Sequence, residues 1–184
     1  SDIAQARRSV MAAVRESFEE TGILLAGEDE QDVVERSSTP ELMAWREAVA
    51  AQDKSFSDFL TSSGLSVRAD LLRPVARWQS PDFFLKRYDI AYFSTALPVG
   101  QDPKLLLGKG VWGDWLNVRE LLEAKDTSEL GDRIGQPNTV GRTLDQLITP
   151  GVMCLLESLA KAQTSVAWLS KRRKIEVKKP VLVT

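Results

Sequence analysis

Residues 3–21 carry the pattern that most restricts how this chain can fold. Apolar residues recur at Val10, Met11, Val14 and Phe18, which is the spacing of one face of an α-helix. Gly22 follows at the position where a glycine commonly ends a helix. The sequence therefore predicts one amphipathic helix over residues 3–21, with its apolar face packed on the core of the protein.

The opposite face of this predicted helix is acidic. Glu19 and Glu20 lie three and four positions after Glu16, so the three side chains are neighbours on the helix surface, and Arg15 reaches Glu19 at i+4. Like charges at this spacing repel, and an acid in the last turn lies at the negative end of the helix dipole, at a cost of roughly 0.3–1 kcal/mol. Two interpretations remain open: a solvated acidic face, or a site where a divalent cation offsets both penalties.

The rest of the chain alternates predicted helices and strands irregularly, which favours an α/β (α+β) fold in a single domain over residues 1–184. A mostly helical insertion is expected over 28–72. Its first helix begins either with a capping box of Ser38 and Glu41, or with Thr39 as the cap and Pro40 in the first turn.

Further elements are expected after this insertion. Strands are predicted over 73–78 and 85–98, and one or two short strands within 104–118. A helix is predicted over 118–125 and a loop over 126–138. C-terminal helices and a basic tail complete the chain over 146–184.

Composition narrows the chemistry. The 184 residues include no histidine and one cysteine, which excludes histidine-based catalysis, histidine metal ligands and an internal disulfide. A formal net charge of −2 gives no broad positive field, so neither nucleic acid nor a membrane is an expected partner. Cys154 lies in an apolar run and is expected to be a buried structural thiol. A lone thiol fits a reducing compartment, so a cytoplasmic location is expected.

The acidic stretch also resembles a known motif. Residues 15–23, RESFEETGI, are similar to the core of the Nudix box, R-E-U-x-E-E-x-G-U, in which U is a bulky apolar residue. The matching positions are Arg15, Glu16, Glu19, Glu20, Gly22 and Ile23. The resemblance implies that Glu16, Glu19 and Glu20 bind Mg²⁺ or Mn²⁺, and that Arg15 holds the carboxylates in place by ion pairing.

A second segment resembles one branch of the Nudix hydrolase superfamily, that of the peroxisomal coenzyme A diphosphatases and their bacterial relatives, in which a helical insertion is usual. The branch pattern W-x-[ST]-P … R-[FY]-D-[TI]-x-[FY]-F is matched by Trp78, Ser80, Pro81, Arg87, Tyr88, Asp89 and Phe93. The implied fold is a Nudix-like α/β/α sandwich with a mixed sheet.

The same resemblance implies a reaction. The expected activity is metal-dependent hydrolysis of the pyrophosphate bond in a nucleoside diphosphate linked to another group, with coenzyme A as one substrate and ADP-ribose or a dinucleotide as others. Arg15 would hold the carboxylates, and Glu19 or Glu20 would orient or deprotonate the attacking water.

Several positions depart from the family pattern. Ser1 and Arg7 stand where the full motif, counted back from its arginine, has glycine and glutamate. The family's first strands and Gly-Gly turn are therefore expected upstream of this chain, and an unpaired sheet edge favours a homodimer. Lys109 stands where the branch commonly has an acid, and Glu120 and Glu123 are either its nearest substitutes or a solvated helix face. A catalytically impaired Nudix-like binding or scaffold protein is therefore the alternative hypothesis.

Overall fold

A computed structural model describes residues 3–181 of the chain. Within these residues the protein is a mixed α+β structure, as predicted at that level. The helices are α1 (Ile3–Thr21), α2 (Pro40–Ala50), α3 (Phe56–Ser62), α4 (Val118–Glu123), α5 (Glu129–Ile134), α6 (Leu144–Leu147), α7 (Pro150–Ala160) and α8 (Ser165–Ser170). The strands are β1 (Ala26–Gly27), β2 (Ser66–Val67), β3 (Arg73–Gln79), β4 (Asp89–Ser94) and β5 (Val177–Lys178).

The two helices that the sequence predicted best are α1 and α2. Helix α1 has the predicted bounds, and its buried residues include Val14 and Phe18 from the predicted apolar face. Helix α2 begins with the Thr39 cap, whose side chain accepts a hydrogen bond from the Leu42 backbone nitrogen, and Pro40 stands at the first helical position. Of the two starts that the sequence left open, the structure adopts this one.

The chain divides into two compact units. The first runs to Arg73 and includes Phe93–Gly113, and the second contains Pro74–Tyr92 and the described residues from Asp114 onward. The first unit holds the larger buried cluster, formed by Val14, Phe18, Leu24, Leu25, Ala26, Val49, Phe56, Phe59, Leu60 and Leu72. Buried side chains of the second unit include Ala76, Leu144 and Trp168. The single domain predicted over 1–184 stays a prediction.

Both sheets are small. In the first unit, β1 pairs antiparallel with β2, with Ala26 opposite Val67. The other sheet has the order β4–β3–β5, and β3 runs parallel to β5 with Arg77 opposite Val177. The strand predicted over 85–98 is shorter than expected, because Tyr88 is tied to Ser80 by two hydrogen bonds and the strand begins only at Asp89.

The strands expected within 104–118 were predicted wrongly. Residues 104–117 all lie within the described range and form no strand. Lys104 donates its backbone N–H to the Thr21 carbonyl at the end of α1 at 2.8 Å, and Gly108 adopts a positive φ of 83° in a turn. A Cβ on Gly113 would lie 3.2 Å from the Leu105 side chain. The segment folds back on itself because its glycines permit the tight turn and the close approach.

The loop expected over 126–138 was also predicted wrongly, since it contains α5. Gly131 weakens the helical pattern in the sequence, yet it is buried, and a Cβ there would collide with the Thr139 carbonyl oxygen. The helix ends at Gly135, which adopts the left-handed conformation with φ of 70°. Close packing at Gly131 therefore outweighs its low intrinsic helix propensity.

Cys154 is exposed, which overturns the prediction of a buried thiol. The half-buried stripe of α7 includes Val152, Leu155 and Leu156, and Cys154 lies about 200° around the helix from Val152 at about 100° per residue. A run of apolar residues does not reveal which face of a helix is buried. Among helices within residues 3–181, none has the length and apolar character needed to cross a membrane.

Candidate functional site

Helix α1 is held in place by its aromatic contacts. The Phe18 ring is fully buried and stacks on the Phe59 ring of α3, with centroids 5.0 Å apart and planes 7° apart. The Phe56 ring packs against it at 6.1 Å in a tilted arrangement. Since this face of α1 is fixed on the core, the residues on the opposite face hold fixed positions along the helix.

Arg15 links two of the three glutamates. Its Nη1 donates to Glu19 Oε1 at 2.6 Å, and its Nη2 lies 3.3 Å from Glu16 Oε1. The Glu19 side chain is only 11% exposed, whereas that of Glu16 is 64% exposed. The arginine thus holds one carboxylate in a largely buried position beside a second that is open to solvent. A hydrogen bond between charged groups at this distance is among the stronger kinds.

Glu20 is exposed in the last turn of α1, where the helix dipole disfavours an acid. No basic residue of α1 lies in that turn. The compensating cation comes from α2 instead. Arg46 is fully buried, and its Nε and Nη2 donate to the Glu19 backbone carbonyl at 3.1 and 3.0 Å.

Arg46 is therefore the electrostatic partner of the end of α1. Its Nη2 also donates to the Lys104 carbonyl at 2.7 Å, while Nη1 is buried without a hydrogen-bond partner. Burial lowers the pKa of the Arg46 guanidinium, and the charges of Glu20 and Glu47 act in the opposite direction. The buried Arg46 cation offsets the penalty expected from acids in the last turn. The acidic face therefore does not by itself show that α1 is less stable than a helix without these acids.

Gly22 is required by the same arrangement. It adopts φ of 78°, and its N–H donates to the Phe18 carbonyl at 3.0 Å, which ends α1 as predicted. A Cβ at this position would lie 2.9 Å from Arg46 Nη1. Glycine is therefore needed for its backbone conformation and for the close approach of the guanidinium.

The sequence prediction missed Arg46, although a signal was present. Leu42, Trp45 and Val49 mark the buried side of α2, and Arg46 lies on that side at helical spacing. A charged residue within an apolar stripe indicates a buried group that must be satisfied by hydrogen bonds. The apolar stripe identifies the position of Arg46. The carbonyls that accept its hydrogen bonds, those of Glu19 and Lys104, are distant from it in sequence.

The three glutamates suit Mg²⁺ or Mn²⁺ in their donor chemistry, because carboxylate oxygens are the ligands that hard divalent cations prefer. Glu16 and Glu20 are exposed one turn apart, and Glu19 is bound to Arg15. Within residues 3–181, no three acidic or cysteine side chains are grouped so that they could hold a metal ion. The structure thus joins Glu16 and Glu19 through Arg15 and does not bring all three carboxylates together.

An open groove lies beside the Arg15–Glu19 pair. It has a volume of about 430 Å³ and is lined by these two side chains and by residues of the α2–α3 connection, including Gln52 and Lys54. Gln52 has a positive φ of 64°, which is uncommon for a residue other than glycine. The Lys54 ammonium lies 4.2 Å from the centre of the Trp45 ring. The groove gives the buried carboxylate a path to solvent.

The second segment of the resemblance contains an ion pair between neighbouring strands. Asp89 is paired with Arg77 across two strands, with Arg77 Nε 2.7 Å from Asp89 Oδ1. This hydrogen bond holds the pKa of Asp89 below its usual value, and the Gln79 amide acts in the same direction. Arg87 pairs instead with Asp82, at 3.5 Å. These contacts join the ends of β3 and β4.

The predicted substitutes for a further acid lie in the second unit. Glu120 and Glu123 are on α4, where Glu120 accepts a hydrogen bond from the Asn117 amide at 3.1 Å. Lys109 lies in a turn of the first unit, and its backbone N–H donates to the Leu106 carbonyl. The roles predicted for these residues stay predictions.

Comparison of the chain with protein-family models, curated proteins and solved structures finds no match. The functional case therefore depends on the residues and contacts of this chain.

Proposed function

We propose that the chain is a Nudix-like hydrolase that cleaves the pyrophosphate bond of a nucleoside diphosphate linked to another group, with coenzyme A or a related nucleotide as substrate. The observation that supports this most is the Arg15 guanidinium bound to both Glu16 and Glu19 at the end of α1. This is the ion pairing that the motif implies for its arginine. A Nudix-like α/β/α sandwich with a mixed sheet belongs to the same proposal.

In this proposal Glu16, Glu19 and Glu20 are the ligands of Mg²⁺ or Mn²⁺. The bound ion would neutralise diphosphate charge and lower the pKa of bound water. Arg15 orients the Glu19 carboxylate, since the two groups form a short charge-assisted hydrogen bond. Glu19 or Glu20 serves as the base that orients or deprotonates the attacking water.

The groove beside Arg15 and Glu19 supports a small-molecule substrate. Its volume of about 430 Å³ lies within the range of small-molecule sites, which is roughly 300–1,000 Å³. Arg15 and Lys54 contribute positive charge to its walls, and Glu19, Asp53 and Asp58 contribute negative charge, so the acids outnumber the bases by one. A divalent cation would therefore assist the entry of an anionic diphosphate into a groove of mixed charge.

The expected cellular setting follows from composition. We propose a cytoplasmic protein that binds neither nucleic acid nor a membrane, because the net charge is only −2 and the chain has one cysteine. A homodimer formed through an open sheet edge is part of the same proposal. Light scattering distinguishes the dimer from a monomer.

The alternative is a catalytically impaired Nudix-like binding or scaffold protein. Lys109 favours it, since this basic residue stands where an acid would add to the metal site.

A substrate panel separates the two proposals. Coenzyme A, ADP-ribose and a dinucleotide are incubated with the protein and Mg²⁺ or Mn²⁺, and products are resolved by ion-exchange chromatography. The hydrolase predicts cleavage of at least one compound and a loss of about 100-fold in Glu20→Gln, which is typical for removal of a general base. The matched control is Glu157→Gln, an exposed acid of α7, which should keep full activity. Metal binding without any turnover would favour the binding protein.

A further inference from the structure

The second unit contains a cavity that the proposed function does not use. It has a volume of about 140 Å³ and is lined by residues from 115 to 144, including parts of α4 and α5. Cavities of about 150 Å³ admit a ligand the size of benzene, so the space suits one small ring. Its lining includes the apolar side chains Leu116, Leu121, Ala124, Leu130 and Leu144.

The floor and the rim of this cavity differ in character. Leu144 is 2% exposed and belongs to the core of the unit, whereas Trp115 at the rim is 68% exposed. The Trp115 N–H donates to Oδ1 of the preceding residue, Asp114, at 2.8 Å. Trp115 is exposed and belongs to the lining, and a cation within about 6 Å over the face of a tryptophan ring is attracted to it.

The charges around the cavity favour a cation. Glu120 and Glu129 line it, and both are exposed. Arg133 also lines it, but its guanidinium is paired with the Asp114 carboxylate. The Asn117 amide donates to Glu120 Oε1 at 3.1 Å, which restrains one of the two carboxylates near the cavity. The three charged side chains of the lining sum to one negative charge, and Asp114, which pairs with Arg133 outside the lining, brings the local sum to two.

We propose that this cavity binds a small organic cation, an ammonium group carried on a compact apolar body. The apolar part would occupy the space above Leu144, while the ammonium would lie between the Trp115 ring and the carboxylates of Glu120 and Glu129. An anion of the same size is disfavoured by the two carboxylates. A neutral ligand would gain the apolar contacts but neither the ion pairs nor the cation–π contact. The lining residues all lie in the second unit, whereas Arg15, Glu16, Glu19 and Glu20 of the proposed hydrolase site lie in the first.

The test compares two ligands of one shape, 2-phenylethylammonium and the neutral 2-phenylethanol. Binding is followed by NMR through the indole N–H signal of Trp115, assigned by its loss in Trp115→Phe. We expect a saturable shift with the ammonium compound, and affinity for the alcohol about tenfold weaker, as for loss of one or two partly exposed ion pairs.

Variants locate the charge that matters. The double variant Glu120→Gln plus Glu129→Gln should bind the ammonium about tenfold more weakly and bind the alcohol unchanged. Glu123→Gln, on the same helix but outside the cavity, should match the wild type. Both lining glutamates are exposed, so the double variant should keep its fold, which the remaining NMR signals check. Absence of ammonium binding to wild type, equal affinity for the two ligands, or an unaffected double variant would each overturn the proposal.

Discussion

Two arginines of this protein satisfy their charge in opposite ways. Arg46 is fully buried and donates to backbone carbonyls of Glu19 and Lys104, whereas Arg77 is partly exposed and pairs with the carboxylate of Asp89. The first arrangement neutralises the end of a helix with a cation from another element. The second joins two strands at the surface. The Arg46 contacts thus stabilise the buried end of α1, and the Arg77 contact stabilises the pairing of β3 with β4.

A buried hydrogen-bond donor and a surface ion pair contribute differently to the free energy of unfolding. Removing the donor leaves the buried Glu19 carbonyl and the partly buried Lys104 carbonyl without a partner, at about 1–3 kcal/mol for a fully buried group and less where water reaches it. Removing one partner of an exposed ion pair costs about 0–1 kcal/mol, since water replaces it. The stability of the first unit should therefore depend on Arg46 far more than the stability of the second depends on Arg77.

The largest effect is expected from Arg46→Met. This variant keeps the apolar stem but removes the donors to Glu19 and Lys104, so the free energy of unfolding should fall by about 3 kcal/mol. Urea denaturation measures it. The matched control is Arg36→Met, an exposed arginine of the same unit, which should change stability by less than about 0.5 kcal/mol. Equal losses in the two variants would remove the distinction between the two kinds of arginine.

Gly22→Ala should have the next largest effect, a loss of about 2 kcal/mol, because alanine is strained at positive φ and its Cβ would displace Arg46. Gly64 provides the matched control. It has φ of 65° with no atom within 4 Å of a built Cβ, so Gly64→Ala carries the backbone strain alone, at about 1 kcal/mol. The difference between the two losses, measured by thermal unfolding, reports the contact with Arg46. Equal losses would mean that the contact between a Cβ at position 22 and Arg46 does not destabilise the protein.

Asp89→Asn tests the surface pair. At neutral pH it should lower the free energy of unfolding by about 0.5–1 kcal/mol. The hydrogen bond from Arg77 lowers the folded pKa of Asp89 below the unfolded value of about 3.9. The stabilisation is therefore present above that pH and is lost as the pH falls through the folded pKa. The difference in free energy of unfolding between wild type and Asp89→Asn should therefore be present at neutral pH and vanish at acid pH. For Asp126→Asn, at an exposed site, the difference from wild type should not change with pH in this way.

Glu20→Gln should have the smallest effect on stability, a change below about 0.5 kcal/mol in either direction. Removing the acid relieves the helix dipole but also removes a charge that favours the Arg46 cation. A loss above about 1 kcal/mol in urea denaturation would show that Glu20 is a structural partner of Arg46. Glu41→Gln, in the first turn of α2 where an acid is favoured, is the comparison in which a small loss is expected.

Local patterns in the sequence predicted the elements whose signals lie within them. Helix α1 and its end at Gly22 followed from the spacing of apolar residues and from the glycine, and the start of α2 at Thr39 and Pro40 was one of the two starts that the sequence left open. The pairing of Arg15 with Glu19 was also accessible, because i and i+4 positions adjoin on any helix.

Features set by distant contacts were missed. Helix α5 depends on the fit of Gly131 against the Thr139 carbonyl, and the exposure of Cys154 depends on which face of α7 is covered. The role of Arg46 required the carbonyls of Glu19 and Lys104, which no local pattern brings together. The sequence predicted which acids share a face of α1, but it did not predict that Arg46 of α2 stabilises the end of that helix.

The most direct test of the proposed metal site is a titration with Mn²⁺, in which electron paramagnetic resonance measures the free ion. Glu16→Gln plus Glu20→Gln is the decisive variant, because both side chains are exposed and their replacement should leave the fold intact. We expect one saturable Mn²⁺ site in the wild type and in Glu157→Gln, and its loss in the double variant. No binding to the wild type, or unchanged binding to the double variant, would contradict a metal site at the end of α1.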